Sequence, residues 1–187
     1  YYMGIEEATT TEIEGLLIIK PKVFNDDRGY FFESWNEEVF ENNGIKYKFI
    51  QDNQSLSHSG VLRGLHLQLK PFSQLKLVQV LQGQVLDVIV DLRKKSDTFG
   101  KHEKIYLNSN DRKILWIPEG CAHGFLSLEN NSIFSYKCNK NYNQKSEITI
   151  NWNDADLNID WGIEKPFLSE KDKKGISFDE YLKLIKK

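Results

Sequence analysis

Short apolar runs alternate with polar turns along most of the chain, which is the pattern of many short β-strands. Near the end, Ser177-Phe-Asp-Glu180 has the form of a capping box that opens a terminal helix through Lys186. Asn36 is a candidate cap for a short helix over 37–42, which Gly44 ends. Roughly ten strands with small helices predict a mainly β fold, a jelly-roll sandwich or barrel. The predicted strands cover residues 15–20, 30–35, 47–53, 60–68, 74–81, 84–92, 103–108, 113–117, 122–128, 132–139 and 146–152.

The clearest hairpin signal joins strands 74–81 and 84–92 through a turn at Gln82-Gly83. Residues 55–60 read as a polar loop between two strands. With 187 residues and no internal repeat or linker, the chain predicts a single domain over 1–187. We expect residues 1–4 to be an added or disordered start.

Charge and cysteine content narrow the classes of function. The chain has 25 Lys and Arg against 27 Asp and Glu, a formal net charge of -2. This balance argues against a nucleic-acid partner but allows a local cationic pocket for a phosphate-bearing small molecule. Cys121 and Cys138 have neither metal-type spacing nor a disulfide framework, which favours a reducing cytoplasm. The apolar runs are strand-length, so no membrane span or signal peptide is expected.

The stretch from Gly60 to Gln68 is apolar except for Arg63, His66 and its final Gln. A satisfied core histidine and an arginine that reaches the surface would explain these residues. A shared functional site would explain them too, but residues three apart point to opposite faces of a regular strand. A β-bulge at Gly64 would bring both side chains to one side.

Two charged residues lie on otherwise apolar faces of neighbouring strands. Strict alternation places Lys76 with Val78 and Val80, and Asp87 with Val85 and Ile89. If these faces line the barrel, both charges lie inside it, where charged residues are rare without a partner or task. If the faces point outward, both residues are solvated.

The segment from Ile117 to Phe125, with His123, is similar to the second metal-binding motif of cupin barrels. The first cupin motif requires two histidines one residue apart, whereas this chain has only His66-Leu-Gln68. Because a protein-bound divalent metal needs three or four ligands, we predict a barrel without a catalytic metal. Tyr136 fits either a core tyrosine or a proton donor, and Asp172 alone would read as surface charge.

Taken together, these stretches closely resemble the dTDP-4-dehydrorhamnose 3,5-epimerase family of nucleotide-sugar metabolism over nearly the whole chain. The resemblance rests on residues 24–33, 51–53, 60–66, 76–78, 87–93, 115–125, 136–137, 152–154, 159–161 and 168–172. It implies a metal-free cupin-type jelly roll that needs no cofactor. It also implies an isomerase that converts dTDP-4-dehydro-6-deoxy-D-glucose to dTDP-4-dehydro-L-rhamnose.

The resemblance assigns four catalytic roles. His66 matches the base that removes protons next to the C4 ketone, and Asp172 matches the carboxylate that orients it. Tyr136 matches the acid on the opposite face of the sugar, and Lys76 matches the cation at the C4 oxygen. This scheme is chemically sound, because a fixed cation stabilises an enolate and inversion needs a base and an acid on opposite faces.

The resemblance also implies a set of substrate contacts and a homodimer with shared sites. Tyr142 resembles the aromatic residue that stacks on thymine, and Arg28 and Glu33 match an arm from the neighbouring subunit. The remaining predicted contacts are Gln51, Asp52, Asn53, Arg63, His123, Glu147 and Lys171.

Two other functions stay open at this stage. One is an epimerase that acts only at C3 or on another nucleotide 4-keto sugar. The other is a non-catalytic sugar-binding cupin, which would make the joint presence of His66, Lys76, Tyr136 and Asp172 a coincidence. A metal-dependent cupin dioxygenase is disfavoured by the broken metal motif.

Overall fold

The computed structural model describes residues 4–186, which form thirteen strands and two α-helices. The helices are α1 (Glu37–Asn42) and α2 (Phe178–Ile185), with single 3-10 turns at Gln144–Ser146 and Asp172–Lys174. The strands are β1 (Ile5–Thr10), β2 (Leu17–Pro21), β3 (Phe24–Asp26), β4 (Gly29–Phe31), β5 (Gln51–Ser57), β6 (Leu62–Gln68), β7 (Lys76–Gln82), β8 (Gln84–Asp91), β9 (His102–Asn108), β10 (Ile114–Ile117), β11 (Cys121–Ser127), β12 (Ser132–Cys138) and β13 (Glu147–Thr149). The predicted mainly β class is confirmed.

Two antiparallel sheets face each other as a cupin-like jelly roll. The six-stranded sheet has the order β1-β2-β10-β7-β12-β5, and the five-stranded sheet has the order β13-β6-β11-β8-β9. Strands β3 and β4 form a separate two-stranded ribbon. One apolar cluster joins the inner faces of both sheets and includes Val78, Val85, Ile89, Phe125 and Phe134.

The outer face of each sheet is also covered. On the five-stranded sheet, Leu86 and Val88 pack against residues of the C-terminal segment, among them Trp161 and Tyr181. The α1 region covers the six-stranded sheet in the same way. Burial on both faces explains why β7 and β8 are rich in apolar residues on both sides of the strand.

The predicted hairpin between β7 and β8 is wrong, because these strands belong to different sheets. Strand β7 pairs with β10 and β12, and β8 pairs with β9 and β11. Gly83, with φ +77°, stands where the chain leaves one sheet for the other, and its carbonyl accepts from Ser109 N. The chain does bend at Gly83, but a turn signal does not say whether the strands beside it pair.

Two further strand predictions need correction. The strand predicted over 47–53 and the loop predicted over 55–60 are replaced by β5, which runs through Ser57. Residues 51–55 of β5 border a polar pocket and are all polar, so the strand lacks an apolar signal. Strand β1 was not predicted, because it is an edge strand whose side chains are mostly exposed.

Both helix starts agree with the sequence prediction. The side chain of Asn36 accepts from Val39 N, and Ser177 forms a reciprocal capping box with Glu180. Residues 1–4 were predicted to be an added or disordered start, and residues 1–3 lie outside the described part of the chain. Gly4 is described, and its carbonyl accepts a 2.8 Å hydrogen bond from Lys22 N. None of the helices within residues 4–186 is long and apolar enough to cross a membrane.

The C-terminal segment is fixed to the barrel at several points. The Asp154 carboxylate accepts from the backbone N of Phe178 at 2.8 Å, and Tyr181 donates to the carbonyl of Leu92 at 3.1 Å. Ile150 exchanges backbone hydrogen bonds with Leu65 in β6. These anchors carry the chain back over the five-stranded sheet and bring the 3-10 turn at Asp172 against β6.

Candidate active site

Strand β6 contains a bulge at Gly64, the condition under which Arg63 and His66 share a site. His66 pairs with His123 and Arg63 pairs with Phe125, so β6 has one more residue than β11 between the two pairs. Gly64 lies inside this shift with φ +131°, and a Cβ there would come 2.5 Å from the Cα of Gly124. Only glycine fits such a close approach. As a result, Arg63 and His66 both line the same pocket.

This pocket has a volume of about 590 Å³, a size typical of small-molecule sites. Its walls come from both sheets and from the turn that precedes Lys171 and Asp172. Twelve of the fourteen predicted site residues line it: Gln51, Asp52, Asn53, Arg63, His66, Lys76, His123, Tyr136, Tyr142, Glu147, Lys171 and Asp172. Segments that are far apart in sequence therefore converge on one polar cavity.

His66 and Asp172 form a close pair, with 2.6 Å between Nε2 and Oδ1. Asp172 is buried, and its second oxygen accepts from Ser169 Oγ at 2.7 Å. Burial raises the pKa of the Asp172 carboxyl, but hydrogen bonds from His66 and Ser169 outweigh it and hold the pKa below 3.8. An ionised carboxylate can only accept, so Nε2 carries the proton and Nδ1 remains as the basic nitrogen.

Tyr136 and Lys76 face His66 from the other sheet, since both belong to strands of the six-stranded sheet. The Lys76 ammonium lies 5.8 Å from the centre of the Tyr136 ring. Burial raises the pKa of the Tyr136 phenol and lowers the pKa of Lys76. The interior location considered for Lys76 is therefore the observed one, and a protonated phenol stands across the pocket from the histidine.

A second histidine–carboxylate pair is formed by His123 and Asp87. His123 Nε2 lies 2.9 and 3.0 Å from the two Asp87 oxygens, and both residues are buried. The sequence left the location of Asp87 open, and the structure places it inside the barrel. Its separation from His123 along the chain gave no local signal for this pairing.

Glu147 accepts hydrogen bonds from two residues at the pocket mouth, Lys171 and Tyr142. Its Oε1 accepts from Lys171 Nζ at 2.9 Å, and its Oε2 accepts from the Tyr142 hydroxyl at 3.0 Å. The side chain of Gln51 accepts from Tyr142 N at 2.8 Å and donates to Asn53 at 2.9 Å.

Arg63 and Asp52 already have protein partners. The Arg63 guanidinium donates to Ser57 Oγ at 3.1 Å and to the Leu56 carbonyl at 3.2 Å. Asp52 borders the pocket, but its carboxylate is bound by Lys137. These hydrogen bonds fix the orientation of Arg63 at the pocket wall, whereas the Asp52 carboxylate is paired with Lys137 at the edge of the pocket.

Arg28 and Glu33 do not line the pocket of their own chain. Arg28 lies at the tip of the β3–β4 ribbon, where its side chain is 90% exposed and pairs with Asp26. Glu33 accepts from the Asn36 side chain near the start of α1. Their predicted role therefore requires the pocket of a second subunit.

Ten further residues line the pocket without having been predicted as site residues, and among them are Gln68, Gln74, Cys138 and Ser169. Gln68 accepts from Asn143 N at 2.6 Å, and strand alternation with His66 could have indicated its direction. Cys138 pairs in register with Lys76, which only the strand order reveals. Within residues 4–186, no group of three His, Cys, Asp or Glu side chains is placed to hold a metal ion.

The fold and this pocket define a cupin-like jelly-roll protein whose polar cavity, of small-molecule size, brings together a histidine–aspartate pair, a tyrosine and a lysine. The chain belongs to the dTDP-4-dehydrorhamnose 3,5-epimerase family, whose model matches residues 10–180. It is 50% identical to the Shigella flexneri enzyme of that name over 169 residues, covering 90% of this chain and 93% of the relative. It is 47% identical to the Methanothermobacter thermautotrophicus enzyme, covering 87% and 89%.

A solved structure shows the same fold. The Legionella pneumophila dTDP-6-deoxy-D-glucose-3,5-epimerase, in complex with dTDP-4-keto-L-rhamnose, superimposes with a TM-score of 0.88 at 43% identity. The match covers 92% of this chain and 93% of that one. The jelly-roll architecture and the family are therefore established together.

Proposed function

We propose that this protein converts dTDP-4-dehydro-6-deoxy-D-glucose to dTDP-4-dehydro-L-rhamnose, an isomerase step in dTDP-L-rhamnose biosynthesis. One observation carries the proposal: the Asp172–His66 pair faces Tyr136 across a pocket that also holds Lys76. The matching family model and the Shigella flexneri and Methanothermobacter thermautotrophicus relatives, each named as a dTDP-4-dehydrorhamnose 3,5-epimerase, support the same reaction.

The first step is removal of a proton next to the C4 ketone. His66 Nδ1 takes the C3 proton, and the C–H electron pair moves into an enolate. Lys76 stabilises the negative charge that develops on the C4 oxygen. Asp172 stabilises the imidazolium, as an acceptor does for the histidine in hydrolase triads.

The second step is reprotonation from the opposite face. Tyr136 gives its phenolic proton to C3, and the ketone re-forms with inverted configuration. His66 then loses a proton and Tyr136 regains one by exchange with solvent. C5 is also adjacent to the C4 ketone, so the same groups repeat the two steps there.

The rest of the pocket suits a nucleoside diphosphate. Arg63 and Lys171 supply cations for the diphosphate, and Tyr142, which is 51% exposed at the mouth, presents a ring for stacking on thymine. Gln51, Asn53 and His123 add polar contacts along the wall.

We also propose a homodimer in which each ribbon β3–β4 reaches the neighbouring pocket. The exposure of Arg28 at the ribbon tip, with Tyr30 and Phe31 each 57% exposed, supports this proposal. Free, buried Cys121 and Cys138 and a nucleotide-sugar substrate support a cytoplasmic location.

Solvent exchange followed by NMR tests the proposed reaction. In D2O with dTDP-4-keto-6-deoxyglucose, we expect deuterium at both C3 and C5. We also expect a product that a downstream NADPH-dependent reductase consumes. Label at C3 alone would replace the proposal with single-site epimerisation, and no label with retained dTDP binding would favour a binding protein.

A further inference from the structure

Glu147 is a carboxylate in a pocket that we propose binds a diphosphate, where an uncompensated negative charge would repel the ligand. Its side chain is 14% exposed, and each of its oxygens already has one donor. Lys171 binds Oε1 at 2.9 Å, and the Tyr142 hydroxyl binds Oε2 at 3.0 Å. This arrangement points to a task in addition to contact with substrate.

The backbone of Glu147 is fixed, whereas its two partners lie on less regular segments. Glu147 pairs with Gln68 across the ladder between β13 and β6. Tyr142 lies in the connection before the Gln144–Ser146 turn, and Lys171 directly precedes Asp172. Glu147 therefore links the rigid sheet to both edges of the pocket mouth.

We propose that Glu147 is a positioning residue that fixes the Tyr142 ring and the Lys171 ammonium where the nucleotide binds. This inference rests on the proposed function, because it takes dTDP as the nucleotide. The Tyr142 hydroxyl prevents the exposed ring from rotating away, and the Lys171 charge compensates Glu147. Both side chains are already ordered before the nucleotide binds, so less conformational entropy is lost on binding.

A double-mutant cycle on dTDP affinity tests this role. Tyr142→Phe keeps the ring and removes only the hydroxyl, and Glu147→Leu removes the shared acceptor. We expect each to weaken dTDP binding roughly 3- to 10-fold, the size of one or two hydrogen bonds. In the Glu147→Leu background, Tyr142→Phe should have almost no further effect. The Michaelis constant should rise while kcat stays within about twofold, because neither residue touches the reacting atoms.

Glu170→Gln is the matched control, since it removes an exposed carboxylate bound to Lys173 close to the same turn. It should leave dTDP affinity unchanged. Equal losses from Tyr142→Phe in both backgrounds, or unchanged affinity in Glu147→Leu, would overturn the positioning role alone. If Glu147→Leu does not fold, unchanged affinity in Tyr142→Phe overturns it. Wild-type protein that binds no dTDP would overturn the proposed function and this inference together.

Discussion

Burial sets the protonation states of the proposed acid and base. It lowers the pKa of His66 below 6.5, and the hydrogen bond that His66 donates to Asp172 only partly opposes this effect. It raises the pKa of Tyr136 above 10. Near neutral pH the histidine is therefore an unprotonated base and the tyrosine a protonated acid, which are the states that inversion requires.

The acidic limb of the pH profile should report His66. Because its pKa is lowered, His66 stays neutral to a lower pH than an ordinary histidine does. We therefore expect kcat/KM to fall only as the pH drops through a value below 6.5. Besides Asp172, the charges that act on His66 are Lys171 and Lys76, and both lower its pKa. Lys171→Met should therefore move the limb to higher pH.

Lys173→Met is the control for this prediction, because Lys173 is exposed and bound to Glu170. Its limb should match that of the wild type. A wild-type limb above 6.5, or a limb in Lys171→Met that moves to lower pH, would contradict the assignment of His66 as base.

At the scale of elements, the bulge in β6 depends on Gly64. In Gly64→Ala the new Cβ would lie 2.5 Å from the Gly124 Cα, a backbone atom that cannot move independently. We expect a loss of about 3 kcal/mol or more in the free energy of unfolding, with loss of activity. Denaturant unfolding measures it.

Gly162→Ala provides the comparison. Gly162 also has a positive φ, +71°, but a Cβ there meets nothing within 4 Å. Gly162→Ala should lower the free energy of unfolding by only about 1 kcal/mol, the cost of placing a residue with a Cβ at a positive φ. If Gly64→Ala were as stable and active as Gly162→Ala, the bulge would not be needed to bring Arg63 and His66 together.

Asp91 stabilises the connection from β8 to β9. Burial raises its pKa, but hydrogen bonds from Arg93, Ser96 and Thr98 outweigh it and hold the pKa at about 2. Because this folded-state pKa is below the ordinary 3.8, the stabilisation is fully present above that value and is lost as pH falls through about 2. We expect Asp91→Asn to lose about 2–3 kcal/mol at neutral pH and to flatten the acid dependence of stability.

Unfolding of Asp91→Asn and exposed Asp97→Asn, each measured against pH, checks this prediction. Asp97→Asn should stay within about 0.5 kcal/mol of the wild type. Equal stability of the two variants at neutral pH would show that the Asp91 cluster contributes little.

Local chemistry made some elements predictable from sequence. Asn36 and Ser177 cap helices through atoms within three residues. A bulge at Gly64 was the condition for placing Arg63 and His66 in one site, and the structure contains it. Sheet membership was not predictable in this way. Gly83 marks a turn whether its strands pair or separate, and β5 lacks an apolar face because it borders the polar pocket.

At the scale of the whole molecule, the candidate site is a product of topology. Asp172 is 106 residues from His66 in sequence, and only the family resemblance linked them beforehand. No resemblance or spacing indicated the pairing of Asp87 with His123, which the antiparallel register of β8 and β11 creates. Residue identities carry the chemistry, but strand order decides which of them meet.

The proposed dimer makes a prediction for mixed subunits. If each pocket uses His66 of one chain and Arg28 of the other, both His66→Ala and Arg28→Ala homodimers have two defective sites. A heterodimer of the two variants has one site with both residues intact. Purified by two different tags, it should recover about half of the wild-type activity. Activity no higher than that of the Arg28→Ala homodimer would contradict shared sites.

The most direct test of the account is turnover by His66→Ala with dTDP-4-keto-6-deoxyglucose. His58→Ala is the control, since His58 is exposed and does not line the pocket. We expect His66→Ala to lose epimerisation by on the order of 10³-fold or more, because its base is gone, while dTDP still binds. His58→Ala should behave as the wild type. Normal turnover in His66→Ala would contradict the assignment of His66 as the proton acceptor.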